Sequence, residues 1–165
     1  MTRLDVLVNE LARETKTARR HLERLTDAHF DWRPHPKSFT AGRLACHMVD
    51  CIRWTPPIFS ADELDLDQRP YRPFAATSVA SLLKSFDAEV NIARDAMTGA
   101  PDTSASLPWR LKMRGKVWFE KPREAVFRDM SLNHLVHHRG QFSVYLRLLD
   151  IAVPGSYGPT ADEPL

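Results

Sequence analysis

His134 and His138 stand four residues apart near the end of the chain. On a helix, that spacing stacks two imidazoles on one face, a chelate with the reach a first-row divalent metal needs. Two ligands rarely hold an ion, so a third must come from another element. His47 is the natural candidate, because it shares a helical face with Leu44, Met48 and Cys51. Three histidines from two helices would leave a coordination position open, as catalytic sites do and closed structural sites do not. Other readings compete with this one. An inward histidine is more often a hydrogen-bonded core residue than a ligand. His137 could pair with His134, although i, i+3 is less well aligned here. Cys51, one turn after His47, could be a fourth ligand, but reads better as a small core residue. Asp50 could orient the His47 imidazole or face solvent. No Ser/His/Asp triad, phosphate-cradling glycine loop or dinucleotide fingerprint offers other chemistry. The reacting group would therefore be a metal-bound water or a metal-bound thiolate.

The elements that must carry these residues are predominantly helical. Leu4, Leu7, Leu11, Thr15, Ala18, Leu22 and Leu25 form an apolar stripe that predicts a helix over 2–26, with Thr2 as N-cap. Residues 27–39 form a connection stopped by Pro34 and Pro36, with Trp32 and Phe39 expected to anchor it. A second helix runs from Thr40 to about Trp54, where Pro56 and Pro57 mark an end or a sharp bend. Residues 60–76 read as a solvated loop. Its acidic residues Asp62, Glu63, Asp65 and Asp67 lack the glycine and terminal glutamate of a calcium loop. A third helix spans Ser78 to Met97 and stops at Thr98-Gly99-Ala100-Pro101.

Residues 102–121 behave differently. Leu111, Met113 and Val117 alternate with Arg110, Lys112, Arg114 and Lys116, which is strand period. The spacing predicts a short extended or hairpin excursion with Gly115 near its tip. The four cations could meet an anionic ligand or nucleic acid; a solvated strand face is the simpler reading. A last helix follows from Pro122 to about Asp150. With His134 at the origin of a helical wheel, Phe127, Met130, His138, Gln141, Tyr145 and Leu148 fall within a sector of about 80°, taken as the inner face. Gln141 and Tyr145 there could contact substrate, pack in the core or bond the tail. Arg139, about 140° away, suits an interface or a tail contact. Leu132, Leu135, Phe142 and Leu146 form a second apolar face, which favours a homodimer. The expected fold class is all-α, a four-helix bundle interrupted by the excursion.

Composition bounds the remaining possibilities. The chain has 165 residues, enough for one domain over 1–165 with a sizeable core. With 43% hydrophobic and 27% charged residues it has an ordinary globular balance. Its 23 basic and 21 acidic residues leave a net charge of +2, which names no partner and makes nucleic acid a poor one. No apolar run is long enough to span a membrane. Cys46 and Cys51 would point about 140° apart on a helix and could not bridge. The first residues do not read as a signal peptide, so the expectation is a reduced, cytoplasmic protein.

The tract from His134 to Glu163, HLVHHRGQFSVYLRLLDIAVPGSYGPTADE, resembles the C-terminal signature of the DinB superfamily. That signature, H-x3-H-R-G-Q followed by a Tyr-Leu-Arg helix and a P-x-x-Y-G-P tail, is met by His134, His138, Arg139, Gly140, Gln141, Tyr145, Pro154, Tyr157, Gly158 and Pro159. Upstream, WRPHPKSFTAGRLACHMVD is similar to the family's entry into its second helix, and its histidine ligand matches His47. The resemblance implies a four-helix bundle of DinB-like topology, with helices up-down-down-up. It implies a divalent metal, zinc or nickel, on His47, His134 and His138, and a homodimer. It further implies a small-molecule substrate, processed by a low-molecular-weight-thiol S-transferase with a thiol co-substrate or by a metal-dependent hydrolase. The alternative is a non-catalytic metal- or small-ligand-binding protein of the stress response. Two features depart from the family pattern: the basic excursion at 109–121, and Cys51 as the small residue opposite the site.

Overall fold

Thr2 opens the first helix with a reciprocal cap. Its hydroxyl accepts from the Asp5 amide while the Asp5 carboxylate accepts from the Thr2 amide. In the computed structural model, which describes residues 1–164, this helix, α1, spans Arg3–Leu22. Thr40 caps α2 (Ala41–Arg53) by accepting from the Arg43 amide. Pro56 and Pro57 bend the chain rather than end it: a short helix, α3 (Thr55–Ser60), follows with proline in its first turn, where no amide hydrogen is needed. Ser78 caps α4 (Val79–Thr98). Helix α1 packs on α4 and on the last helix, α2 packs on the same two, and α1 and α2 lie on a diagonal. The second and last helices are therefore neighbours, as a shared histidine site requires.

The fold is mostly helical but not all-α. Residues Glu63–Asp65, expected as loop, form strand β1, which pairs in parallel with β2 (Pro108–Met113). Strand β3 (Lys116–Pro122) returns antiparallel to β2 and completes a three-stranded sheet resting on α3 and the following helix. The hairpin tip falls at Arg114 and Gly115, both with positive φ (55° and 67°), the backbone a two-residue turn demands. Asp67 caps this turn by accepting from both amides, at 3.0 and 2.8 Å. The period-2 pattern buries Trp109 and Leu111 completely. Glu63 pairs with Lys112 at 2.7 Å, Asp62 with Arg123 at 2.6 Å, and Arg110 with Glu120. Within the basic segment Lys112 is thus neutralised by the acidic loop and Arg110 by Glu120, which leaves two of the four cations, Arg114 and Lys116, without an ion pair among the described residues.

The last helix is not continuous. Arg123–Phe127 form α5, Arg128–Leu132 form a π turn, and Asn133–Leu148 form α6. A π turn inserts one residue and turns the following helix by about 100° relative to α-helical phase. Phe127 consequently shares a buried stripe with Leu135, Phe142 and Leu146, all at most 1% exposed. The extra residue moves Phe127 out of the histidine sector and onto the leucine-phenylalanine face; within α6 the two faces keep the relative positions of an unbroken wheel, and the second is the more deeply buried. The leucine-phenylalanine face fills this chain's own core, and with it goes the support it offered for a homodimer. The sector of His134, Gln141, Tyr145 and Leu148 forms the rim beside α2, and Leu148 is 57% exposed.

Beyond α6, Asp150 adopts positive φ (55°) and reverses the chain. The tail then folds back. Arg147 pairs with Asp162, and Asp162 also accepts from the Val153 amide at 2.8 Å. Glu163 accepts from the Gly155 amide at 2.8 Å and pairs with Arg20 at 2.6 Å. Phe30 rather than Phe39 anchors the 27–39 connection. The Gly42 amide donates to the Phe30 carbonyl at 2.9 Å, and a Cβ on Gly42 would meet the Phe30 ring at 2.2 Å. Phe39 is 47% exposed. No described helix is long and apolar enough to cross a membrane.

Candidate metal centre

His47 on α2 and His134 and His138 on α6 come together as a triangle of rings. Centroids lie 5.1 Å apart for 47–134, 4.5 Å for 47–138 and 4.7 Å for 134–138. One ligand atom from each, together with the Cys51 sulfur, lies within 4.8 Å of the other three. Ligand atoms of a tetrahedral zinc site lie within about 4 Å of one another, so this His/Cys cluster is of the size that could hold a metal ion.

Hydrogen bonding sets the imidazoles for this role. The Nδ1 of His138 lies 2.8 Å from Oε1 of Gln141, and the Nδ1 of His134 lies 3.3 Å from the Met130 carbonyl inside the π turn. Both partners are oxygens that accept, so each Nδ1 carries the proton and each Nε2 keeps its lone pair. His47 Nδ1 faces Asp50 Oδ2 at 3.5 Å, beyond a good hydrogen bond, and is a buried nitrogen without a hydrogen-bonding partner. A carboxylate behind an imidazole is the arrangement found where a histidine's other nitrogen serves a metal. The free Nε2 lone pairs of His134 and His138, the carboxylate behind His47 and the size of the cluster fit a divalent ion.

Electrostatics agree. Burial lowers the pKa of His134, and the neighbouring His47 lowers it further. His138 is pushed down to about 4, first by burial and then by the other imidazoles, against the raising effect of Gln141. Both are neutral at neutral pH, the form that ligates. Asp50 is 1% exposed. Burial alone would raise its pKa, but the His47 imidazole facing it, hydrogen bonds from the Phe74 amide and Tyr71, and the Arg43 charge hold it below the usual value. Cys51 is fully buried, and burial pushes its thiol well above the ordinary range. It lies on the core side of the cluster. Cys46 is also a buried free thiol.

On its outer side His138 lines a cleft of about 470 Å³. Gln141 and Tyr145 line it as well, joined by Lys37, Phe39, Leu44 and Val144. None of those four was read from the sequence as a site residue, because they come from the 27–39 connection, α2 and α6, which meet only in the fold. Gln141 has a second role, holding His138. Tyr145 donates to the Phe39 carbonyl at 3.3 Å and meets Trp32 edge-on at 5.6 Å. His137 is exposed and packs on His138 from outside the triangle. Arg139 points to the opposite side of α6. It is 2% exposed, pairs with Glu14 at 2.7 Å, and lies over the Tyr157 ring at 5.0 Å, so it is the expected tail contact.

A bundle whose neighbouring helices bring three histidines together, one of them lining an open cleft, is a familiar class of metal-binding helical protein. Residues 10–142 match the model of the DinB superfamily, and the chain belongs to that family. Two solved structures share the fold. A DinB-like protein from Bacillus cereus is 22% identical with a TM-score of 0.67, over 88% of this chain and 92% of that one. A DinB-like protein from Bacillus subtilis, YjoA, is 14% identical with a TM-score of 0.73, over 90% and 96% of the two chains. No curated protein matches the sequence significantly.

Proposed function

We propose that this protein is a metal-dependent enzyme in which His47, His134 and His138 hold a divalent ion, zinc or nickel, and that it transfers a low-molecular-weight thiol to a small electrophile. The observation that carries this reading is the convergence of three imidazoles whose Nδ1 atoms all face acceptors, leaving Nε2 free. When bound, the ion supplies Lewis acidity that lowers the pKa of a thiol or water at its open position. Gln141, the Met130 carbonyl and Asp50 keep the three imidazoles in the ligating tautomer. Phe39, Leu44 and Val144 give the cleft apolar walls that exclude water around a substrate. Cys51 sits behind the ligands as a small core residue.

The cleft favours thiol over water. A thiol starts near a pKa of about 8.5 and needs a small push, whereas water starts near about 15.7 and profits from an added general base. No carboxylate lines the cleft among the described residues.

Protein purified without a metal column should carry close to about one ion per chain by mass spectrometry, and H134A close to none. The loaded protein should consume a small thiol in the presence of a haloaromatic electrophile, and H134A should not. Metal below about 0.2 per chain, unchanged by H134A, would overturn the metal centre. A full complement of metal with ester hydrolysis and no thiol consumption would overturn the transferase reading.

A further inference from the structure

Asp50 also lines a second cavity, of about 150 Å³, that none of the three histidines borders. Trp54, one turn further along α2, and Tyr71 stand as nearly parallel rings, 13° between planes and 6.4 Å between centroids. Leu64 and Leu66 extend this apolar surface. Arg53 is engaged: it contacts Asp50 at 3.3 Å and Glu89 at 3.6 Å, and donates to the Arg72 carbonyl at 3.2 Å. That last bond fixes the 60–76 segment over the cavity. The guanidiniums of Arg69 and Arg72 also line the cavity, are exposed, and have no ion pair among the described residues.

Each part of this arrangement selects for a ligand property. Unpaired guanidiniums suit a carboxylate, which accepts two parallel N–H bonds. The stacked pair of Trp54 and Tyr71 presents one aromatic surface, which suits a planar ring laid against it, and guanidiniums beside it add cation–π attraction. A space of about 150 Å³ takes one six-membered ring. The Asp50 carboxylate does not repel an anion here, because Arg43, Arg53 and the Phe74 amide already neutralise it, at 3.4, 3.3 and 2.8 Å. We propose that this cavity binds a small aromatic carboxylate, its ring against Trp54 and Tyr71 and its carboxylate between Arg69 and Arg72, at a site separate from the histidine cleft.

Titrating the full-length chain with benzoate, followed by tryptophan fluorescence, tests this. A saturable change below about 10 mM is expected, and W54F should abolish it. R69A/R72A should weaken binding about tenfold or more, and benzyl alcohol and inorganic phosphate should each bind at least about tenfold more weakly than benzoate. The benzoate response should persist in excess EDTA. The proposal is overturned by the absence of a saturable change, by equal binding in R69A/R72A, or by equal binding of either control. Loss of the response in EDTA would also overturn it, because it would place benzoate at the metal centre.

Discussion

His138 and Arg139 are adjacent on α6, yet they serve two polar clusters of opposite character. Arg139 points inward, where Glu14 accepts from it at 2.7 Å and from the Tyr157 hydroxyl at 2.8 Å. The two charges are buried against each other, and Tyr157, itself 70% exposed, closes over them and ties the tail to α1 and α6. On the other side, His47, His134 and His138 meet with their Nδ1 atoms facing acceptors and with no hydrogen bond to their Nε2 atoms among the described residues. A buried polar group that is fully satisfied stabilises the fold; one held ready but unsatisfied is a place for a ligand.

Four measurements would break or sharpen this contrast. The largest effect is expected for Arg139→Met, which leaves the Glu14 carboxylate buried without its buried cation and with only the exposed Arg13 beside it. A loss of about 3–5 kcal/mol in denaturant unfolding is expected, with much of it recovered when Glu14→Leu is added. Equal losses in the single and double variants would deny that the pair is a self-contained unit. His134→Ala should act the other way round, with little effect on metal-free stability. The gain from saturating zinc in the parent chain, about 2.7 kcal/mol at a hundredfold excess over Kd, should vanish in the variant. Gln141→Leu leaves His138 without its acceptor and should weaken metal binding about 10–100-fold in a competitive chelator titration, while the melting temperature stays close to that of the parent.

The smallest effect concerns acid. Burial alone would raise the pKa of Glu14, but hydrogen bonds from Arg139 and Tyr157 outweigh it and hold the carboxyl below its usual value near 4.5. The stability it contributes is therefore complete above that pH and drains away as pH falls through the lower folded value. Tyr157→Phe should cost about 1 kcal/mol at neutral pH, and its deficit should shrink in unfolding experiments on the acid limb. A deficit constant down to the acid transition would show that the hydroxyl does not support the ionised carboxylate.

Much of this was legible in the residues. The i, i+4 histidine pair, its partner on the second helix and the caps at Thr2 and Thr40 are local patterns, and the structure places them where those patterns point. The hairpin was legible for the same reason, since alternation and Gly115 mark it without reference to the rest of the chain. What escaped depends on distant partners or on phase. Strand β1 is three residues long and exists because β2, more than forty residues later, lies beside it. Nothing local marks Glu14 on α1, because its partner is 125 residues away. Which face of the last helix is the more deeply buried escaped because both are apolar, and the place of Phe127 escaped because hydropathy carries no mark of an extra residue in a turn.

That extra residue has a consequence for comparing this chain with others. Helical phase before Arg128 and after Leu132 is counted on two different frames. A relative whose last helix is regular throughout would match both halves only if one position within 128–132 were left opposite a gap. A gapless alignment would look better in sequence and would set core residues against rim residues on one side of it. The turn is thus an insertion of a single amino acid, absorbed without a loop and recorded in the geometry of the helix.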